Sequence, residues 1–286
     1  MKTITQCILL TGANSGIGLS TCKLLSEQGY YIFAGVRDNN GFEFLTSQNI
    51  QNVQPVRLDL TDPQQIADVA KRIEEHCSDE NKFFAIINNA AFALGGPIEL
   101  MDSHIIKNSF DVNVFGIIEL IKQLLSILRK DKGRIINVSS TNAIVSLPYL
   151  GIYSATKFAL EAISDSLRLE LKKWNIPVSV IYPDVVKTPI FDKSIPLSYQ
   201  KIESNDSEKQ KLYKNEFDNF VKAINKMVSK GVEPEVIAKC ILECLQSKKP
   251  KISYIPEKNG KITFLLKRLA SKKMLDKILI NQLSKV

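Results

Sequence analysis

The chain opens with a short apolar run, Cys7-Ile8-Leu9-Leu10. It passes directly into Thr11-Gly12-Ala13-Asn14-Ser15-Gly16-Ile17-Gly18 and then into an apolar-periodic stretch through Leu24 and Leu25. This reads as strand, glycine turn, helix. Each glycine has its own reason to be there. Gly12 permits a tight turn, Gly16 lets a pyrophosphate approach the backbone, and Gly18 lets the helix pack on the sheet, while the helix N-terminus offers unpaired N–H groups to phosphate oxygens. Asn14, Ser15 and Ile17 complete the loop and join the candidates for nucleotide contact.

Beyond this junction, apolar strand-like runs alternate with longer helical patterns. Seven strands are expected near 6–11, 31–36, 53–57, 83–88, 134–139, 178–182 and 251–255. Alternation of this kind predicts an α/β fold: a doubly wound, Rossmann-type parallel sheet with helices on both faces. At 286 residues and 44% hydrophobic content the chain can bury one large core without needing a second full domain. We divide it into a main unit, 1–258, and a basic amphipathic tail, 259–286. In the tail Phe264, Leu265, Leu269, Leu275, Ile278, Leu279 and Leu283 recur at near-helical spacing among Lys267, Arg268, Lys272, Lys273 and Lys277.

The net charge of +8 comes from the C-terminal stretch: eleven lysines and arginines lie beyond residue 245 against Glu257 and Asp276, and the rest of the chain holds 27 basic and 28 acidic residues. The chain up to residue 245 is therefore not the basic body that nucleic-acid binding favours. The five cysteines show no metal-ligand cluster or disulfide framework, and an odd count suits reduced thiols in a cytoplasmic protein. With two histidines, His76 and His104, both outside the motifs, no metal site is expected. The N-terminal apolar run is too short for a signal peptide, and no stretch has the length of a membrane span.

Tyr153 and Lys157 stand at i and i+4, on one face of a helix. A phenol, with an ordinary pKa of about 10, is a poor acid or base near neutrality. A neighbouring ammonium favours the phenolate and is expected to bring the pair into range for proton exchange with an alcohol or carbonyl oxygen.

The TGxxxGxG spacing at residues 11–18 and the Tyr153/Lys157 pair resemble the short-chain dehydrogenase/reductase family in its single-domain branch, and motifs follow in family order from residue 5 to about 190. The resemblance implies that Asn88-Asn89-Ala90 supports the sheet beside the cofactor and that Asp59, with Leu60 next to it, contacts the adenine. It implies that Asn113, Ser140, Tyr153 and Lys157 form the catalytic set. Ser140 lies thirteen residues before Tyr153 and would steady the charge on the substrate oxygen. Lys157 would bond the nicotinamide ribose, Asn113 would hold a relay water, and Thr188, after Tyr182-Pro183, would bond the nicotinamide carboxamide. Two positions depart from the family pattern. Ala91 replaces a glycine, with an expected cost of about 1 kcal/mol if its φ is positive, and Asp184 replaces the glycine after Pro183, putting a carboxylate near the nicotinamide end.

At the end of the second strand Val36 takes the place where NAD-selective folds carry an acid, and Arg37 follows it, which favours NADP through charge complementarity with the 2′-phosphate. The resemblance makes 1–258 the catalytic unit and places a substrate lid at 189–231, which contributes Ile190, Phe191, Ile195, Leu197, Tyr199, Leu212, Tyr213, Phe217 and Phe220, while the mouth adds Phe92, Leu94, Leu147, Pro148 and Tyr149. This composition suggests a bulky hydrophobic alcohol or carbonyl substrate, as in members resembling retinol and hydroxysteroid dehydrogenases. Two alternatives stay open: a nucleotide-sugar epimerase or dehydratase of the same fold, and a non-enzymatic NADP-binding sensor or scaffold. The family also implies a homodimer or homotetramer built on long helices at 103–129 and 152–173. The tail is expected either to contact a membrane or to pack on the domain.

Overall fold

The computed structural model describes residues 5–188, 198 and 207–284. Their strands are β1 (Thr5–Thr11), β2 (Tyr31–Val36), β3 (Val53–Arg57), β4 (Asn81–Asn88), β5 (Arg134–Val138), β6 (Val178–Ile181) and β7 (Ser253–Tyr254). All pair in parallel, in the order β3-β2-β1-β4-β5-β6-β7. The order reverses between β1 and β4, leaving a crevice at the carboxyl ends of those strands where ligands bind in open α/β sheets. β7 is shorter than the run 251–255 predicts. It sits at the sheet edge, pairs only through Ser253 and Tyr254, and is followed closely by Pro256.

Strand residues alternate between two cores because successive side chains point to opposite faces. Leu9, Phe33, Ile86 and Ile135 pack on one side with Leu120, Leu124 and Leu160. Ile8, Leu10, Ile32 and Ile87 pack on the other with Cys22, Leu25, Ile237 and Ile241. Burial on both faces is why the strands read as unbroken apolar runs. At about 1.5–3 kcal/mol for each large apolar side chain, these two layers dominate the folding energy.

The helices on the first core's side are α3 (Pro63–His76), α4 (Ser103–Phe110), α5 (Gly116–Asp131) and α6 (Gly151–Glu170). On the second side lie α1 (Gly16–Glu27), α2 (Asn39–Ser47) and α8 (Pro234–Gln246), while α7 (Ser207–Ser229) packs on the segment Leu147–Leu150. Side-chain caps begin three of them: Asp38 for α2, Asp62 for α3 and Asp102 for α4. The long helix expected at 103–129 is interrupted by a π-helical turn, Asp111–Phe115. The helix expected at 152–173 ends in a 3-10 turn, Leu171–Trp174.

The tail forms two helices, α9 (Lys258–Leu269) and α10 (Lys272–Ser284). Part of it packs: Phe264 meets Tyr182 edge-on at 4.9 Å between ring centroids, and Leu275 is buried. Ile262, Leu265, Leu269, Met274 and Ile280 are exposed. No helix among the described residues is long and apolar enough to cross a membrane. Of the expected lid, Ile190, Phe191, Ile195, Leu197 and Tyr199 lie outside the described residues. Phe217 and Phe220 on α7 are buried against Leu147, Tyr149 and Leu150, whereas Leu212 is exposed.

Candidate active site

The glycine loop joins β1 to α1 with Gly12 at φ +66° and Gly16 at φ +48°. A Cβ on Gly12 would lie 2.9 Å from the Ala90 Cα, and one on Gly18 would lie 1.9 Å from the Gly12 carbonyl oxygen. Gly18 thus sits behind the loop as a packing residue. Ser15 is the N-cap of α1, yet its side chain makes no capping bond and the first turn carries no acid. The first N–H groups of α1 are therefore left for an anionic ligand. Thr11 Oγ1 accepts from the backbone N–H of Asn89 (3.0 Å) and Ala90 (2.8 Å), and Asn89 Nδ2 donates to the carbonyls of Thr11 (3.0 Å) and Gly12 (3.2 Å). The Asn-Asn-Ala segment is in this way tied directly to the loop.

A cavity of about 430 Å³ fills the crevice. Gly12, Asn14, Ser15, Gly16, Ile17, Arg37, Asp59, Leu60, Asn89, Ala90, Ser140, Tyr153, Lys157, Pro183 and Thr188 line it, along with Asp38, Ala91, Phe92, Val138, Ser139, Asn142, Asp184 and others. Of the residues assigned to catalysis or the cofactor, Gly18 and Asn113 do not reach its wall; of the expected mouth, Phe92 lines it and Leu94, Leu147, Pro148 and Tyr149 do not. Ser139 and Asn142 were missed, although the polar run Ser139-Ser140-Thr141-Asn142 closing an apolar strand was a usable signal. The glycine cradle, a helix end free of acids and a neighbouring arginine fit a dinucleotide with phosphates. A wider depression of about 520 Å³ between α8, β7 and the start of α9, lined by Lys239, Glu243, Lys251 and Lys261, receives none of the motif residues.

Ser140 leaves β5 in extended conformation and caps the turn Thr141–Ala143, its Oγ accepting from the Asn142 backbone N–H at 3.1 Å. It also hydrogen-bonds Tyr153, which lies in the first turn of α6. One turn on, Lys157 Nζ donates to the Val138 carbonyl at 3.0 Å and lies 5.7 Å from the centre of the Tyr153 ring. The expectation that the lysine lowers the tyrosine's pKa gives way to desolvation. Burial pushes the Tyr153 phenol up to about 12, against a lowering by the Ser140 bond, and brings the Lys157 ammonium down to about 8. Removal from water favours the neutral form of both groups. Tyr153 accordingly keeps its proton at physiological pH and is poised as an acid.

Asn113 lies in the π-helical turn and is fully buried. Its Oδ1 accepts from the Phe92 N–H at 2.7 Å, while Nδ2 donates to the Phe92 carbonyl at 2.8 Å and to Thr156 Oγ1 at 3.0 Å. Thr156 Oγ1 in turn donates to the Tyr153 carbonyl at 2.7 Å. Asn113 therefore clamps the cavity wall to the helix that carries Tyr153 and Lys157.

Ala91 does not have a positive φ, so the expected penalty does not arise. Asp184 also avoids that region, and its Oδ1 accepts from Thr141 Oγ1 at 2.8 Å. Its backbone N–H is 3.2 Å from each carboxylate oxygen of Glu257, the N-cap residue of α9. Val36 is buried, while Arg37 is exposed at the cavity edge, 3.4 Å from Asp38.

The short chain dehydrogenase family model matches residues 6–196. The protein belongs to the short-chain dehydrogenase family and is an oxidoreductase acting on carbonyl or hydroxyl groups. It is 36% identical to a 3-amino-tetrahydro-pyrrolizinone reductase of Xenorhabdus hominickii, over 87% of this chain and 86% of the relative. It is 31% identical to a 3-ketodihydrosphingosine reductase of Bacteroides thetaiotaomicron (86% and 85%) and 33% identical to the human 17-beta-hydroxysteroid dehydrogenase type 2 (89% and 68%). A short chain dehydrogenase from Burkholderia cenocepacia, solved in complex with NADP, has the same fold at 21% identity, with a TM-score of 0.73 over 98% of both chains.

Proposed function

We propose that the protein reduces a hydrophobic, lipid-like ketone to the alcohol at the expense of NADPH. The observation that carries this reading is Tyr153 held beside Ser140, one helical turn from Lys157, in the wall of the cavity. Bound NADPH supplies the hydride to the carbonyl carbon. Ser140 hydrogen-bonds the carbonyl oxygen and steadies the charge that develops there, and Tyr153 delivers the proton that completes the hydroxyl. Lys157, holding the Val138 carbonyl with one N–H, keeps donors for the ribose. Asn113 fixes the position of α6 through Thr156. Gly12, Asn14, Ser15, Gly16 and Ile17 take the phosphates, Asp59 and Leu60 the adenine, and Asn89, Ala90, Pro183 and Thr188 the nicotinamide end. Arg37, with no acid at Val36, supports selection of NADP over NAD.

A hydrophobic substrate is supported by Phe92 and Ala93 in the cavity wall and by the aromatic cluster of half-buried Tyr149 with buried Phe217 and Phe220. The relatives' names point the same way, with a hydroxysteroid dehydrogenase and a 3-ketodihydrosphingosine reductase among them. Exposed Phe115, Phe158 and Leu169 on and beside α5 and α6 support a homodimer or homotetramer through those helices, and light scattering at micromolar concentration reads the mass. The exposed apolar residues of α9 and α10 beside lysines support contact with an anionic membrane, where such a substrate partitions. The central test follows NADPH oxidation across long-chain ketones, steroids and retinoids. Turnover of a long-chain or polycyclic ketone supports the reading, and turnover confined to small polar aldehydes overturns it.

A further inference from the structure

Asp184 brings a carboxylate into the cavity that also holds Ser140 and Tyr153. Thr141 occupies its Oδ1, and among the described residues no hydrogen bond reaches Oδ2. Glu257, itself buried, stands directly behind on the Asp184 backbone N–H. No lysine, arginine or histidine among the described residues forms an ion pair with either carboxylate. Burial raises the pKa of both, and Asp184 raises that of Glu257 further, to about 7. Two such groups side by side with no cation are an electrostatic cost that a bound positive charge would offset.

A second, independent observation concerns hydrogen bonding. In the same wall Ser139 Oγ and Asn142 Oδ1 are buried with no hydrogen-bond partner, and Ser139 is only 4% exposed. Buried polar atoms in native proteins are almost always paired, so these two are left for a ligand or an ordered water to satisfy. Asp184 Oδ2 and Asn142 Oδ1 can only accept, and a serine hydroxyl accepts as readily as it donates. A neutral ketone brings no donor to such a set. An alkylammonium brings three donors and the missing charge.

From this wall we infer that Asp184 selects ketones bearing a cationic amine close to the reacting carbonyl, with Asn142 and Ser139 as further acceptors for its N–H groups. This rests on the carbonyl-reduction reading and adds a charge to the hydrophobic substrate it names. The carbonyl oxygen goes to Ser140 and Tyr153, and the amine goes to the wall formed by the residues after β5 and β6. The apolar remainder of the substrate points to Phe92 and Ala93 in the cavity wall.

The experiment compares a long-chain 2-amino-3-ketone with its N-acetyl derivative, which keeps the shape and loses the charge, in the wild type, Asp184→Asn and Asp184→Glu. The wild type should favour the amine in kcat/KM by roughly ten- to hundredfold, the range of one charge-assisted hydrogen bond. Asp184→Asn, which keeps the bond to Thr141, should lose most of that ratio through KM, and Asp184→Glu should restore part of it. A wild type indifferent to acetylation, or an Asp184→Asn variant that slows both ketones alike, overturns the inference. Calorimetric binding of the matching 2-amino alcohol and its N-acetyl derivative to the wild type and Asp184→Asn needs no turnover. If neither ketone is reduced but the amine still binds preferentially through Asp184, carbonyl reduction fails and the amine site stands. Equal binding of both compounds overturns the amine site.

Discussion

The half of the cavity that faces the glycine loop and the half that faces Asp184 are built by different means. On the first side the parts are backbone: positive-φ glycines, a bare helix end and carbonyls gripped by Asn89. On the second side they are side chains from segments far apart in the sequence, such as Asp184 on Thr141, with Glu257 on the Asp184 backbone N–H. A cradle made of main chain tolerates almost no added atom. A wall made of side chains can be changed piecemeal. Substitutions on the first side should therefore act nearly all-or-none, and those on the second should act by degrees.

The reacting centre, where the two halves meet, should show the largest effect. Tyr153→Phe removes the proton donor and should lower kcat/KM by roughly 10²- to 10⁴-fold, with NADPH affinity measured by fluorescence little altered. Gly18→Ala forces a Cβ into the Gly12 carbonyl at 1.9 Å. It should abolish detectable NADPH binding and lower the melting temperature by several degrees. A Gly18→Ala variant that binds NADPH normally would break the comparison at its firmest point.

Smaller changes sharpen it. Val36→Asp/Arg37→Ala should move the NADPH-to-NADH ratio of kcat/KM toward NADH by about tenfold, since Arg37 is exposed and its pairing is screened. If the ratio does not move, Arg37 is only a surface charge. On the other side, Glu257 has its pKa raised by burial to about 7 in the folded protein, from 4.5. Between those values the native state binds more protons than the unfolded one, so this residue makes stability fall as pH rises from about 4.5 to about 7. Glu257→Gln should flatten that slope in urea titrations across the window. The smallest effect belongs to the tail. Leu265→Asp/Leu269→Asp alters two exposed residues and spares Phe264. It should leave stability nearly unchanged and reduce flotation with anionic vesicles, whereas equal flotation would reduce α9 and α10 to packing elements.

The same contrast explains what could be read from the sequence. Gly12, Gly16 and Gly18 announce themselves because only glycine meets their backbone demands. The strand runs do so because a two-faced sheet makes Ile8, Leu9 and Leu10 all apolar. The Tyr153/Lys157 pair is legible because helical spacing is local. The pKa of Tyr153 is not, because it is set by burial contributed by many segments. Glu257 as a neighbour of Asp184 is not legible either, because the two are 73 positions apart in the chain. The harmless backbone of Ala91 follows from a local conformation that a family pattern alone does not reveal.

The π-helical turn at Asp111–Phe115 has a consequence for how the enzyme can be lost. A π turn holds one residue more than the α-helical hydrogen-bond pattern requires. Deleting Val114 would let α4 and α5 fuse into one regular helix, a change the backbone favours locally. It would also turn Asn113 by about 100° relative to α5, off Phe92 and Thr156. One lost codon could thus leave a folded, nucleotide-binding protein with every residue that lines the cavity intact and its helix of Tyr153 and Lys157 no longer clamped in place.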